Sequence, residues 1–244
     1  MAFTHLHVHT EYSLLDGSNK IKEYVRRVKE LGMDSAAITD HGVMYGVIDF
    51  YKACRAEGIR PILGCEVYVA PNSRFDKELT GGDDRYYHLV LLAENNTGYN
   101  NLTRIVSRGF TEGYYYKPRV DMELLQEFHE GIIALSACLA GEVQRYITKG
   151  LYDEAKKTAL KYQACFGKGN YFLELQDHGL PEQKMVNTAL LQMSKELDIP
   201  LVATNDVHYT YKEDVKPHDI LLCLQTGKKL ADEDRMRYVG GQYY

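Results

Sequence analysis

The sequence of 244 residues predicts an α/β fold, in which short strands and helices alternate and close into a (β/α) barrel. Segments typical of strands and of helices alternate about seven times, which is the pattern of parallel βαβ units. The strand segments are short, apolar throughout and β-branched, as expected for strands buried on both faces. Seven or eight such units close naturally into a barrel, and an open doubly wound sheet is the second compatible architecture.

The elements are predicted from hydrophobic spacing and from residues that start or stop helices. Apolar residues at helical spacing begin at Ile21, where Ser18 or Asn19 can cap the helix and Gly32 can close it. The predicted strands are residues 5–10, 35–39, 60–70 (one or two strands), 86–93, 131–137, 170–176 and 200–206. The predicted helices are residues 21–31, 47–56, a segment around 102–106, 123–128, one from about 141, 152–166, 181–197 and 219–224. Residues 71–84 and 113–121 are predicted loops.

The composition indicates an ordinary globular protein, with 45% hydrophobic and 26% charged residues. No stretch approaches the ~20 apolar residues that a membrane span needs. The five cysteines are odd in number and scattered, without a CxxC pair, which favours a reducing cytoplasm over a disulfide framework. The net charge of -5 does not suit a protein that holds nucleic acid by charge alone.

Metal-ligand residue types occur at the end of nearly every predicted strand. In HLHVHT, His7 and His9 share one face of an extended strand, because residues two apart point the same way; His5 lies one step deeper. In α/β barrels the functional residues lie where strands end and loops begin. The candidate ligands are His7, His9, Asp16, His41, Glu66, His88, Cys138, Asp206 and His208.

Each candidate also has a simpler interpretation. His41 fits a turn, His88 fits a core histidine, and Cys138 fits a small core residue. Glu66 follows an apolar run, where a buried carboxylate is costly unless it is paired or binds a cation. It is the coincidence of these residues at successive strand ends that favours a metal site. His129, His178 and His218 lie at no strand end and are left out.

Other chemistries fit the sequence less well. There is no GxGxxG, GxxxxGK[ST], GxSxG or HExxH motif, which disfavours nucleotide cofactors, serine hydrolases and HExxH metalloproteases. Six residues separate Cys138 from Arg145, whereas the loop of a cysteine phosphatase has five.

Four short motifs resemble the signature of the polymerase-and-histidinol-phosphatase (PHP) superfamily. They are HxHT at residues 7–10, TDHG at 39–42, Gly64-Cys-Glu66 and Asp206-Val-His208. The segments EYSLLDG, GIRPILGCEVYVA, YYYKPRVD, LSACLAGE and NDVHY resemble more narrowly the PHP domain of bacterial DNA polymerase III alpha subunits, the C-family replicative polymerases. The resemblance covers essentially the whole chain.

The resemblance implies a distorted (β/α)7 TIM-like barrel with three divalent ions (Zn, Mn or Fe) at the C-terminal ends of its strands. It assigns one ion to His7, His9, Glu66 and Asp206. It assigns a second to Glu66, His88 and Cys138, and the third to Asp16, His41 and His208. It also implies one domain over residues 1–244, with a core at 1–210 and an extension at 211–244 toward a polymerase core that this chain lacks.

The activity that the resemblance implies is a 3′–5′ proofreading exonuclease, in which metal-activated water attacks a DNA phosphodiester. Asp206 and His208 are the expected catalytic residues, with Arg119 as an added phosphate contact and Lys117 as a weaker one. Asp40 is expected to orient a ligand histidine or to cap the next helix. The expected partners are a single-stranded DNA 3′ end, the rest of the polymerase alpha chain and replisome subunits, with no membrane.

Two other functions are compatible with this sequence: a phosphatase for a small phosphomonoester such as histidinol phosphate, and a catalytically silent scaffold of the polymerase.

The three implied ions also change the net charge of the protein. With Cys138 as a thiolate, three divalent ions bring the charge of the chain from -5 to about zero. We therefore expect weak binding of single-stranded DNA ends over a short footprint, and nanomolar affinity at physiological salt would contradict this.

Overall fold

Seven strands and eight α-helices alternate in the computed structural model, which describes residues 3–78, 85–238 and 243–244. The strands are β1 (Ser35–Ile38), β2 (Arg60–Val69), β3 (Tyr87–Ala93), β4 (Arg119–Val120), β5 (Ile132–Leu135), β6 (Tyr171–Leu175) and β7 (Leu201–Ala203). The helices are α1 (Ile21–Glu30), α2 (Val47–Glu57), α3 (Asn96–Thr111), α4 (Met122–Glu127), α5 (Glu142–Thr148), α6 (Tyr152–Phe166), α7 (Pro181–Leu197) and α8 (Val215–Thr226). A 3₁₀ turn, Lys212–Asp214, precedes α8. The predicted α/β class is confirmed.

The described chain divides into two compact units. The first unit is Met1–Asp40, Tyr45–Leu63 and Thr204–Tyr244, and the second is His41–Met44 and Gly64–Ala203. In the first unit β1 pairs in parallel with the beginning of β2, from Ser35 opposite Arg60 to Ile38 opposite Leu63. The aromatic rings of Tyr24 in α1 and Phe50 in α2 stack with centroids 6.0 Å apart.

The second unit contains a mixed sheet, which corrects the expectation of parallel strands throughout. β3 runs antiparallel to both β2 and β5, whereas the pairs β5–β6 and β6–β7 are parallel. The alternation of elements does not fix the direction of a strand, and β3 is buried like its parallel neighbours. β4, inside a predicted loop, pairs in parallel with the end of β2. One apolar cluster of buried residues, including Leu91, Leu102 and Leu173, forms the core of this unit.

The predicted first strand, residues 5–10, is not a regular strand. Its main chain forms two isolated bridges, Val8 with Val207 and Thr10 with Asn19. The amide of Val8 donates to the hydroxyl Oγ1 of Thr39 (2.8 Å), and the amide of Thr10 donates to the carboxylate of Asp40 (2.6 Å). These two amides thus donate to side chains, whereas the amide of His9 donates to the main chain of Val207.

The predicted side-chain cap of α1 is wrong. The N-cap residue is Lys20, without a side-chain hydrogen bond. The hydroxyl of Ser18 instead donates to the carbonyl of His208 (3.1 Å), and the amide group of Asn19 donates to the carbonyl of His9 (2.7 Å). Both polar side chains therefore stabilise the segments that carry candidate ligands. Part of the predicted loop at 71–84 (residues 79–84) lies outside the described residues.

Across the residues described, no helix combines the length and the apolar character that crossing a membrane requires.

Candidate metal centres

The nine predicted ligands form two groups by unit, five in the first unit and four in the second. We call them the first cluster (His7, His9, Asp16, Asp206 and His208) and the second cluster (His41, Glu66, His88 and Cys138). In the first cluster the side chains of His7, His9 and His208 are almost completely buried, with at most 1% exposed. Burial of so many imidazoles beside carboxylates indicates a built site rather than a solvated surface.

Asp206 lies at the centre of the first cluster. Its Oδ1 is 3.3 Å from Nε2 of His7, 3.1 Å from Nε2 of His9 and 3.6 Å from Nδ1 of His208. Burial alone would raise the pKa of the Asp206 carboxyl, but His7, His208 and His9 together hold this pKa well below its ordinary value. Asp206 is therefore a carboxylate in a pocket of imidazoles, which is the form that binds a cation.

The backbone places Asp206 and His208 in one cluster by a bend and not by extended geometry. Strand β7 ends at Ala203, and Asp206 has φ 46°, in the left-handed region. Asp206 and His208 therefore meet through this turn and not as neighbours on one face of a strand. Nδ1 of His208 donates to the carbonyl of Asp206 (2.7 Å), so Nε2 is the ring nitrogen that remains to contact an ion.

Two residues outside the predicted set complete the first cluster. The hydroxyl of Tyr238 lies 3.2 Å from Oδ1 of Asp16 and 3.1 Å from Nε2 of His208. Nε2 of His218 donates to the carbonyl of Asp16 (2.6 Å) and so holds the loop that carries this carboxylate. Burial lowers the pKa of His218 to about 4, so the ring is neutral at pH 7. His218 lies in α8, away from any strand end, and a tyrosine in a polar tail gives no sequence signal.

Asp40 stabilises the turn that follows the first histidines. Its carboxylate accepts from the amide and hydroxyl of Thr10 (2.6 and 2.8 Å) and from the hydroxyl of Ser13 (2.7 Å). The oxygen of Ser13 is also 3.4 Å from Nδ1 of His9. Of the two expected roles, these contacts support the orientation of a ligand histidine through Ser13. Asp40 does not cap α2, whose N-cap is Gly46 without a side-chain bond.

Glu66 lies at the centre of the second cluster and is fully buried. Its Oε2 is 2.5 Å from Nδ1 of His41, and its Oε1 is 2.9 Å from Nδ1 of His88. The sulfur of Cys138 is 3.6 Å from Nδ1 of His88 and 4.0 Å from Oε1 of Glu66. Two imidazoles and a thiol thus surround one carboxylate.

The antiparallel direction of β3 positions His88. It lies near the beginning of its strand, and the register sets it opposite Tyr68, near the end of β2. The prediction that His88 lies at the exit of a strand is therefore wrong. Because β3 runs antiparallel to β2, however, the beginning of β3 lies beside the end of β2, where Glu66 and Tyr68 are. The ring centroid of Tyr68 lies 5.3 Å from that of His88 and 6.3 Å from that of His41.

Local turns fix the other two ligands of the second cluster. The amide of Gly42 donates to the carbonyl of Glu66 (2.8 Å), which ties His41 to β2. Gly42 has φ 66°, and a Cβ there would lie 2.8 Å from the ring of Tyr68, so only glycine fits this turn. Ala137 also has a positive φ, 65°, and Cys138 follows it. Cys138 is the partly exposed cysteine, whereas the other four are buried.

The donor sets fit a transition metal ion. Ligands of one tetrahedral zinc ion lie about 3.4 Å apart, because its bonds to nitrogen and oxygen are about 2.0–2.2 Å. Oδ1 of Asp206 lies 3.3 and 3.1 Å from Nε2 of His7 and His9, and the donor atoms of His41, Glu66 and His88 lie within 4.8 Å of one another. Imidazole with carboxylate and one thiol suits zinc, iron or manganese.

Arg119 has a structural role in the second unit. It is 3% exposed, and its guanidinium donates to the carbonyls of Gly113 (3.2 Å), Arg74 (3.3 Å) and Asp76 (2.5 Å). These contacts give no support to its predicted phosphate contact, because the planar donor fork that matches a phosphate is turned to the main chain. Lys117 is partly exposed, with its ammonium 5.3 Å from the ring centroid of Tyr68.

His5 behaves as a supporting residue. Its ring lies edge-on to Phe3 with centroids 5.0 Å apart, and its carbonyl accepts from the amide of Ala37 (3.0 Å). Burial lowers the pKa of His5 to about 4, which keeps the ring neutral.

Known proteins resemble this chain in sequence and in fold. Residues 5–178 match the family model of the PHP domain. The whole chain is 51% identical to DNA polymerase III subunit alpha of Treponema pallidum, and 99% of it is 48% identical to that of Deinococcus radiodurans. The chain spans 21% and 19% of these two proteins, about a fifth of the curated relatives that it matches.

Two solved structures share the fold. An amidohydrolase from Chromobacterium violaceum has a TM-score of 0.55 at 15% identity, over 85% of this chain and 88% of that one. A candidate metal-dependent phosphoesterase from Bifidobacterium adolescentis has a TM-score of 0.52 at 16% identity, over 84% and 87%. At these identities the likeness concerns the fold alone.

Proposed function

Because this chain belongs to the PHP domain family, we propose that it is a metal-dependent phosphoesterase that removes nucleotides from the 3′ end of single-stranded DNA. The observation that carries the proposal is the pair of buried carboxylates, Asp206 and Glu66, each with imidazole nitrogens 2.5–3.3 Å away. Buried carboxylates and histidines in such numbers are costly unless they bind cations.

The chain's own residues bind and hold the ions. His7, His9 and Asp206 form one donor group, Glu66, His88 and Cys138 form a second, and Asp16 and His208 contribute to a third. His41 belongs to the third in the grouping that the family resemblance implies, with three ions of zinc, manganese or iron and a (β/α)7 barrel. Bound divalent ions supply a nucleophile from water at neutral pH and stabilise charge on the phosphoryl oxygens.

The biological setting follows from the sequence relatives. We infer that the chain is the PHP part of a bacterial replicative polymerase alpha subunit, a cytoplasmic protein with replisome subunits as partners. The exonuclease then serves proofreading. Identity above 40% over nearly the whole chain in several such subunits supports this setting.

A nuclease assay tests the proposal. The chain is incubated with Mn²⁺ or Zn²⁺ and a 3′-labelled single-stranded oligonucleotide, beside His41→Ala and, as a matched control, His129→Ala. His129 is exposed and its Nδ1 bonds only the nearby carbonyl of Gln126 among the contacts described (2.8 Å), so its loss leaves the clusters intact. Release of labelled mononucleotide by the wild type and by His129→Ala, but not by His41→Ala, supports the exonuclease.

Other outcomes select the alternatives. Hydrolysis of histidinol phosphate or another phosphomonoester without release of nucleotides would favour a small-molecule phosphatase. Absence of hydrolysis in every variant, with ions bound, would favour the silent scaffold.

A further inference from the structure

We propose that the turn at residues 114–117, together with Arg85, is a stacking surface for a base of single-stranded nucleic acid beside the second cluster. This inference rests on the proposed phosphoesterase function and extends it, since it names the residues that select a nucleic acid over a phosphoester without bases. The geometry of the turn, its exposure and its neighbouring cations each support it.

Tyr116 has an unusual backbone for its residue type. Its φ is 61°, in the left-handed region, where a bulky aromatic residue is strained and glycine or asparagine is favoured. The amide of Tyr115 donates to the carbonyl of Lys117 (3.0 Å), so Tyr116 stands at the apex of a tight turn. Strained residues of this kind concentrate at functional sites, which makes the ring at this apex a candidate for function.

The turn exposes two tyrosine rings to solvent, and neighbouring side chains hold its main chain in place. The side chains of Tyr116 and Tyr114 are 60% and 52% exposed. Beneath them, the guanidinium of Arg119 lies 5.0 Å from the ring centroid of Tyr115, and Nζ of Lys77 donates to the carbonyl of Tyr114 (2.7 Å). An exposed aromatic ring on a fixed turn suits stacking on a base, because every base has a π-face.

Two cations accompany these rings. The guanidinium of Arg85 lies 4.6 Å from the ring centroid of Tyr116, and the ammonium of Lys117 lies 5.3 Å from that of Tyr68. The ring of Tyr68 also neighbours that of Tyr86 and those of His41 and His88 of the second cluster. A nucleic-acid strand with a base stacked on Tyr116 therefore has the ammonium of Lys117 beside its backbone phosphates. The ring of Tyr68 lies between this ammonium and the candidate metal ligands His41 and His88.

A binding experiment separates stacking from charge. Fluorescence anisotropy measures the affinity of the chain, in chelator and at low salt, for labelled oligothymidylate and for an abasic oligonucleotide of the same length. We expect Tyr116→Asn, which suits the left-handed turn but lacks the ring, to weaken oligothymidylate binding about 5- to 150-fold, as one stacked base predicts. Affinity for the abasic strand is expected to stay within about twofold of wild type.

Matched variants complete the design. Tyr116→Phe keeps the ring and should bind like wild type, and Tyr45→Ala removes an exposed tyrosine of the first unit (62%) and should change nothing. Lys117→Gln should weaken both oligonucleotides. The proposal is overturned if Tyr116→Asn binds oligothymidylate normally, if it weakens both strands equally, or if the wild type prefers neither strand.

The nuclease assay distinguishes this inference from the proposed function. Normal 3′-end hydrolysis by wild type, with unchanged oligothymidylate binding in Tyr116→Asn, would leave the exonuclease standing without the stacking surface. Selective loss of binding in Tyr116→Asn, with no hydrolysis by any variant, would establish a nucleic-acid surface on a catalytically silent domain.

Discussion

Tyr68 and His88 lie opposite each other in the antiparallel ladder of β2 and β3, so a histidine at the start of one strand meets the end of the other. Glu66 precedes Tyr68 by two residues, on the same face of β2, and bonds His88 at 2.9 Å. The second cluster thus depends on one carboxylate, placed by the register of two buried strands.

Replacement of Glu66 by glutamine should weaken metal binding at the second cluster. The amide keeps the shape but loses the charge that compensates a divalent ion. We expect affinity to fall by at least about 100-fold, beyond the 10–100-fold typical of residues that only support a ligand. Titration with a competing chelator, followed by elemental analysis of the dialysed protein, measures this.

Glu94→Gln is the matched control, because Glu94 is exposed at the end of β3. Its metal content should equal that of wild type. Equal metal affinity in both variants would show that Glu66 is not a ligand, and thermal unfolding in chelator checks that Glu66→Gln remains folded.

Cys138 should be the first thiol to react with iodoacetamide, and divalent ions should protect it. Burial raises the pKa of Cys54 to about 12 and that of Cys165 to about 11, so these thiols stay protonated and inert at pH 8. Mass spectrometry of peptides follows the modification with and without Zn²⁺. Labelling of Cys138 at the same rate in both conditions would contradict a role in metal binding, and Cys138→Ser identifies the labelled peptide.

Asp40→Asn should destabilise the first unit even without metal. Its carboxylate accepts three hydrogen bonds from Thr10 and Ser13, and the amide cannot accept them all. Hydrogen bonds to charged groups contribute about 1.5–3 kcal/mol each, so we expect a loss of about 2–3 kcal/mol after partial compensation. Urea unfolding in chelator measures the free energy of unfolding.

Asp49→Asn serves as the comparison for Asp40. Asp49 is exposed and accepts one bond, from the hydroxyl of Tyr12 (3.1 Å). Its loss should change the free energy of unfolding by less than about 0.5 kcal/mol. A similar small effect in Asp40→Asn would mean that the turn after His9 is held by other contacts.

Tyr238→Phe should speed metal uptake by the first cluster. The hydroxyl lies near both Asp16 and His208, and it must leave before an ion contacts the two together. Loss of one neutral hydrogen bond, about 1 kcal/mol, corresponds to about a fivefold faster uptake in stopped-flow experiments with a chromophoric chelator. Slower uptake, beside an unchanged Tyr45→Phe control, would instead indicate that the hydroxyl helps to hold the ion.

The sequence predicted which polar residues meet in each unit better than it predicted the geometry that brings them together. His7, His9, Glu66 and His88 are candidate ligands because apolar neighbours mark them as parts of buried segments. The direction of β3 could not be predicted, since a strand buried on both faces has the same apolar pattern in either direction. The residue type of Arg119 could not decide between a phosphate contact and a structural role, because a guanidinium fork that matches phosphate also matches main-chain carbonyls.

Tyr238 shows a different limit of sequence reasoning. It is one of 20 tyrosines, in a polar segment without periodicity, and only the fold brings its hydroxyl to His208. His218 belongs to the same class, because its contact is with a main-chain carbonyl far away in sequence. Contacts of this kind depend on tertiary structure and leave no local pattern.

The ligands of the first cluster lie far apart along the chain, so the ribosome completes this cluster later than the second. His7 and His9 precede Asp206 and His208 by about 200 residues. The second cluster ends at Cys138, about 70 residues before His208. At bacterial rates of about 5–20 residues per second, the last donor of the second cluster is synthesised roughly 4–14 seconds before the last donor of the first.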